Sequence, residues 1–352
     1  MKVSSLKRVL QSIEFQKPDH VPVVPIIGAW STRLAGISVK EGLTDPDKQT
    51  RTQLLALEKY GYDGVFTYMD LSVEAEGLGL KTKMTEDSIP YVMEHFVGKE
   101  KDLQKLKIPK IEQTRMNVFI ESTRKLRNAV GDDIMVSAYT IGPFTLAGHL
   151  MGINNLLKGV IVNKNLVHKV LEFCSDFIKE YAKALTDAGA HAITVLEPSA
   201  SSNLISPKHF GEYVFWHLKE INHFIAKRAI PVLHICGNTN PIIEKMAETE
   251  AKVLSVDSDV DMRRASGLVK NKAALMGNIA PVKLLLQGNI DQVREASLEC
   301  VRDTGGGLIL SSGCEIPIGT PSENIREMVK VSREINSSFF TKPVDRKPIP
   351  QL

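Results

Sequence analysis

The order of elements in this 352-residue chain predicts an α/β protein, a parallel (β/α)8 TIM barrel. Three observations carry that expectation. Short apolar strands alternate with helical stretches to give eight units, no Pro/Gly/Ser-rich linker or composition break divides the chain, and polar side chains collect just past the strand ends. A doubly wound open sheet would show the same alternation, so closure is an expectation, not a deduction. The whole of 1–352 reads as a single barrel domain, with an N-terminal helix before it and an irregular tail from about residue 337.

Taken in order, residues 4–14 have the spacing of an amphipathic helix, which Pro18, Asp19 and His20 break. Residues 21–26 are apolar and bounded by Pro22 and Pro25, as a short first strand would be. A helix over 48–60 ends at Gly61. Further strands are expected at 64–68, 134–138, 192–196, 231–235, 253–256, 274–277 and 308–311. Helical patterns lie between most of them, near 117–130, 164–188, 207–228, 240–249, 261–270 and 289–303. Two connections, 70–116 after the second strand and 139–163 after the third, are too long for plain loops and should emerge on the carboxyl face. The apolar, glycine-containing run from Gly142 to Gly152 within the latter reads equally as a lid or docking surface and as a short buried helix.

Composition excludes several classes. A net charge of +3, with 43% hydrophobic and 24% charged residues, gives no sign of a nucleic-acid or membrane partner. No run nears the roughly 18 apolar residues of a spanning helix, and residues 1–20 carry Lys2, Lys7, Arg8, Glu14, Lys17 and Asp19 where a secretory signal would need an apolar core. A cytoplasmic protein with reduced thiols is expected. Of the four cysteines, Cys174 and Cys300 continue helical apolar stripes, whereas Cys236 and Cys314 follow strand ends.

That placement gives the chemistry. His234 and Cys236 stand two apart at the end of a strand, so both point to one face. Cys314 follows the last strand and comes to the same carboxyl rim. Imidazole and thiolate are donors zinc prefers, and three protein ligands leave a position open. The competing reading is a set of buried core residues. Two sulfurs and an imidazole suit a zinc that holds a substrate thiol as thiolate, and hence alkylation of a thiol, with methyl as the expected group. Glu197, at the end of the 192–196 strand, is a candidate for a displaceable oxygen ligand, for a proton acceptor or for a plain ion pair. Asp70 and Glu74 read as groups that order loops or meet polar parts of a substrate. Asp257 and Asn278 read either as partners that orient His234 or as helix caps.

The sequence then resembles a known family. The segments Pro18-Asp19-His20-Val21-Pro22, Tyr68-Met69-Asp70, Gly142-Pro143-Phe144-Thr145, Glu197-Pro198 and Gly319-Thr320-Pro321-Ser322-Glu323-Asn324 are similar to those of the uroporphyrinogen decarboxylase superfamily. His234-Ile235-Cys236-Gly237-Asn238-Thr239 with Ser312-Gly313-Cys314-Glu315 resembles the zinc motif of its methylcobamide:coenzyme M methyltransferase branch. The resemblance runs from about residue 5 to 335. It implies a (β/α)8 barrel that takes a methyl group from methyl-Co(III) of a corrinoid protein and gives it to a small-molecule thiol. Coenzyme M is the acceptor the motif suggests, with homocysteine or tetrahydrofolate as alternatives; the competing functions are a related methyltransferase acting on a methyl donor, a decarboxylase of the uroporphyrinogen type and a non-catalytic corrinoid-binding barrel. His234, Cys236 and Cys314 would hold Zn2+, with Glu197 and Asp70 as catalytic candidates and Gly142, Phe144 and Asn278 as positions that bind the methylcobamide cofactor. The decarboxylase branch carries an arginine-rich N-terminal segment for its polyacid substrate, and the stretch 27–36 here has one arginine, Arg33.

Overall fold

The computed structural model describes residues 3–335, so the tail expected from about 337 lies outside the described residues. In chain order the main elements are α1 (Ser5–Ile13), α2 (Pro46–Tyr60), β1 (Gly64–Phe66), α3 (Met116–Val130), β2 (Met135–Ile141), α4 (Pro143–Met151), α5 (Ile153–Val162) and α6 (Lys164–Asp187). They continue as β3 (Ala192–Leu196), α7 (Phe215–Ala226), β4 (Ile230–Ile235), α8 (Ile243–Ala247), β5 (Val253–Val256), α9 (Met262–Val269), β6 (Ala274–Ile279), α10 (Ile290–Thr304), β7 (Leu308–Ser312) and α11 (Ser322–Glu334). The seven strands form one sheet in sequential order. Every pairing is parallel.

The first expected strand is corrected to a single bridge, Val23 to Leu310. Pro22 and Pro25 have no amide hydrogen to give a ladder, which keeps the segment from pairing along its length. It nevertheless spans the two edges of the sheet. The Val23 carbonyl accepts from Asp63 N–H at 2.8 Å, just before β1, while Val24 N–H donates to the Leu310 carbonyl at 2.9 Å and Leu310 N–H to the Pro22 carbonyl at 2.8 Å. The sheet is therefore curled in the TIM-barrel manner, with a proline-broken segment between its first and last strands. Arg8 of α1 anchors the amino end, reaching Asp19 and Asp63 at 2.6 Å each.

Alternation along the strands sorts side chains into two layers. Phe66, Met135, Tyr139, Leu196, Val232 and Met276 belong to the inner cluster. Their strand neighbours Val65, Val136, Val195, Leu233, Leu254 and Leu275 pack outward with the helices. Residues apolar on both faces are what a covered parallel sheet requires. His234 and Cys236 share the parity of Val232 and so belong to the inward side.

The two long connections are built structures. Strand β2 continues to Ile141, and the rest of 139–163 is mostly helix. All of α4 is buried except His149, which decides for the buried helix over the lid. The 70–116 connection holds a short helix, Val73–Gly77, and an antiparallel ribbon pairing Thr82–Lys83 with Tyr91–Val92. Arg115 closes it back on itself, 2.7 Å from both Asp70 and Glu76.

Candidate metal and thiol site

Strand β4 carries His234 to the carboxyl rim, where the ring is buried. Its register neighbour on β5 is Ser255, and Nδ1 of the imidazole lies 3.0 Å from Ser255 Oγ. The other ring nitrogen, Nε2, is buried with no hydrogen-bond partner. A half-bonded buried imidazole is costly unless something completes it.

Cys236 and Cys314 are part-buried and unpaired by any disulfide. The neighbouring Cys314 thiol is the largest influence that makes the Cys236 thiol more acidic, with His234 adding to it against burial. Cys236 and burial push the Cys314 thiol up. Among the described residues, no three His, Cys, Asp or Glu side chains are gathered as a ready-made metal cage.

Asp257 holds the loop that follows Cys236. Its Oδ2 accepts from Gly237 N–H at 2.8 Å and its Oδ1 from Ser258 N–H at 2.6 Å. On the other side, a Cβ at Gly313 would lie 2.7 Å from Ser258 N and 3.1 Å from Asp257 Oδ1, so only glycine lets the Cys314 loop approach this closely. Asn278 Nδ2 donates to the carbonyls of Asp257 at 3.1 Å and Val260 at 2.9 Å. Neither residue is bonded to His234; Ser255 has the orienting position, and Asp261, not Asp257, caps α9. Ser255 was legible only as an inward polar position in the run 253–256.

The other expected residues are placed as follows. Glu197 is fully buried, and its oxygens accept from Phe144 N–H at 2.9 Å, Thr145 N–H at 2.6 Å and the Thr145 hydroxyl. It caps α4, whose own N-cap, Gly142, has no side chain to do so. A Cβ on Gly142 would collide with the Glu197 carboxylate at 2.3 Å. Phe144 is buried with the outer, helix-facing layer. Asp70 Oδ1 accepts from Ser72 N–H and hydroxyl at 2.8 and 2.7 Å, and its other oxygen faces Arg115. Glu74 accepts from Ile141 N–H at 2.9 Å and the Thr140 hydroxyl at 3.0 Å. Burial raises the carboxyls of Glu74, Glu197 and Glu315 to about 7. Cys174 and Cys300 are buried on α6 and α10, as their helical stripes implied.

Beside the cysteine pair lies a cleft of about 1280 Å³, with Cys314, Glu315, Asp257, Asn278, Val282 and Lys283 in its lining. Its volume far exceeds that of a small thiol.

With a TIM-barrel-like sheet carrying His234 to its carboxyl rim, residues 4–335 match the family model described as "Uroporphyrinogen decarboxylase (URO-D)", and the chain belongs to that family. Within it the chain falls in the methylcobamide:coenzyme M methyltransferase branch. It is 32% identical over 336 residues to "Methylcobamide:CoM methyltransferase MtbA" of Methanosarcina acetivorans, covering 93% of this chain and 97% of the relative. It is 28% identical to "Methylcobamide:CoM methyltransferase MtaA" of Methanosarcina barkeri, covering 93% and 97%. Among solved structures, a "methyltransferase from Methanosarcina mazei" superposes with a TM-score of 0.88 at 27% identity, over 95% of this chain and 99% of that one.

Proposed function

We propose that this chain is a single-barrel, cytoplasmic, zinc-dependent enzyme that moves a methyl group from the methyl-Co(III) of a corrinoid protein to a thiol, coenzyme M being the favoured acceptor. The observation that carries the reading is the buried, unpartnered Nε2 of His234 on the rim that also carries the free, part-buried Cys236 and Cys314. Such a donor set fits zinc: one imidazole nitrogen held in one orientation by Ser255, and two cysteine sulfurs of the kind zinc prefers. His234, Cys236 and Cys314 would hold the ion, which when bound supplies the Lewis acidity that keeps an acceptor thiol ionised near neutral pH.

The chain's own residues do the positioning. Ser255 fixes the imidazole, Asp257 fixes the loop after Cys236, and Glu197 and Asp70 act through the segments they hold, α4 and the 70–116 connection. The acceptor sulfur, freed of its proton, displaces the methyl group in line, and the electron pair of the broken bond stays on cobalt as Co(I). The cleft beside Cys314 has room for the corrinoid to bring its methyl group to the rim, and Asn278 lies on that side. Gly142 and Phe144 would contribute by setting the position of α4.

Relatives named as decarboxylases are more distant, such as the "Uroporphyrinogen decarboxylase" of Carboxydothermus hydrogenoformans at 25% identity over 92% of this chain and 95% of that one. Arg33, the one arginine of the 27–36 stretch, donates to the carbonyls of Ile318 at 2.7 Å and Thr320 at 3.1 Å, so it is engaged by the chain itself. That speaks against a polycarboxylate substrate. Among the described residues no helix is long and apolar enough to cross a membrane. The test is metal analysis of the purified protein together with methyl transfer from methylcobalamin to coenzyme M, homocysteine and tetrahydrofolate. One zinc per chain and transfer to a thiol are expected; a protein free of zinc yet active would overturn the reading.

A further inference from the structure

The lining of the cleft beside Cys314 divides by segment. From the end of β6 and the connection after it come Ile279, Ala280, Pro281, Val282 and Leu284, joined by Pro317 from the connection after β7, and Lys283 is the one charged residue of the 279–284 run. The connection after β5 contributes residues 257–264, which include three aspartates and two arginines. One part of the lining is thus apolar and another strongly polar.

Both parts are fastened to the barrel. Residues 281–286 form a wide helical turn, in which Leu285 N–H donates to the Ala280 carbonyl and Gln287 N–H to the Val282 carbonyl, each at 3.0 Å and five residues back. Asn324, buried at the end of the Gly319–Asn324 segment, donates through Nδ2 to the carbonyls of Leu285 at 3.0 Å and Gly288 at 2.8 Å, which pins the far end of that turn. Asn278 pins the polar segment through the carbonyls of Asp257 and Val260. On this fixed frame Val282 lines the cleft and is 52% exposed. Covering such a side chain with apolar ligand surface is favourable. At about 1280 Å³ the cleft also exceeds the roughly 300–1,000 Å³ of an ordinary small-molecule pocket. Its shape and polarity suit a broad ligand with an apolar face and a polar edge, and a corrin macrocycle with its rim of amide side chains is such a ligand.

We propose that the Pro281–Leu284 segment is the seat of the corrin ring, with Val282 against the ring face and residues 257–264 toward its amide side chains. Cys314 lines the same cleft, so a ring seated there presents its methyl-bearing cobalt toward the thiol site. This rests on the function given above and deepens it, since it names the residues that receive the methyl donor.

The test uses methylcobalamin as the probe. Equilibrium dialysis with no thiol present should show binding to the wild-type protein that Val282→Asp weakens about 10-fold or more, because a carboxylate would lie against an apolar ring. Val282→Ile, which keeps an apolar side chain, should bind as wild type does. Val282→Ala should weaken binding by a smaller factor, and it decides the matter if the aspartate unfolds the chain. Ile161→Asp, at a 67% exposed position outside the cleft lining, should bind unchanged. In turnover, Val282→Asp should raise the KM for methylcobalamin and leave that for coenzyme M as it was. Wild type that binds no methylcobalamin, folded Val282 variants that all bind as wild type does, an equal loss in Ile161→Asp, or a KM rise confined to coenzyme M would each overturn the seat. Binding that depends on Val282 in a protein that transfers methyl to no thiol would instead overturn the proposed function and leave the seat standing.

Discussion

Ser255 Oγ stands 3.0 Å from His234 Nδ1 and leaves the buried Nε2 as the free end of the imidazole. With zinc as the partner of Nε2, Ser255→Ala should weaken metal affinity by about 10- to 100-fold without unfolding the protein. Chelator competition, followed with a zinc-binding dye, measures this directly.

The cysteines divide by position. Cys236→Ser and Cys314→Ser should each lose bound zinc with the circular dichroism spectrum intact, because both lie at the rim and are only part-buried. Cys174→Ala and Cys300→Ala should keep the metal and cost stability alone, about 1 to 3 kcal/mol from the packing lost in the helix layer. Zinc loss on Cys174→Ala would show that the ligand set is misassigned.

Glu197 gives a pH signature. Burial raises its folded-state value to about 7 from an ordinary 4.5. Between those values the folded chain holds a proton that the unfolded chain has released, so the Glu197 contribution falls as pH rises through that window and is lowest above 7. Glu197→Gln removes this titration. Urea midpoints at pH 5 and pH 8 should therefore show wild type losing ground relative to Glu197→Gln on going to the higher pH. The variant should also be destabilised at both, by about 1 to 3 kcal/mol, since its amide turns a donor toward α4 amide hydrogens.

Arg115 holds the 70–116 connection through Asp70 and Glu76. Arg115→Met leaves the buried Asp70 oxygen without its cation, which should cost roughly 3 kcal/mol. Limited proteolysis should show faster cleavage between residues 78 and 110, where much of the chain is exposed.

Much of the fold was legible because its signals were local. Apolar runs bounded by Gly and Pro located the seven paired strands, and the parity of Val232, His234 and Cys236 placed two site residues on the inward side. Less legible were features that depend on distant backbone. Pro22 and Pro25 announce the limits of a strand, but their missing amide hydrogens also reduced it to one bridge. Whether Gly142 to Gly152 formed a lid or a buried helix turned on Glu197, a residue 55 positions beyond Gly142, whose carboxylate caps it. Ser255 was not legible as the partner of His234, because a serine in an apolar strand carries no sign of which neighbour it meets across the sheet.

The central claim is methyl transfer to a thiol at the His234, Cys236 and Cys314 site, and the decay of the methyl-Co(III) absorption of methylcobalamin tests it most directly. Mixed with zinc-loaded protein and coenzyme M, the spectrum should decay to reduced cobalamin under anaerobic conditions, and Cys236→Ser should abolish the decay. Persistence of the methyl-Co(III) spectrum with coenzyme M, homocysteine and tetrahydrofolate alike, or undiminished decay with Cys236→Ser, would contradict it.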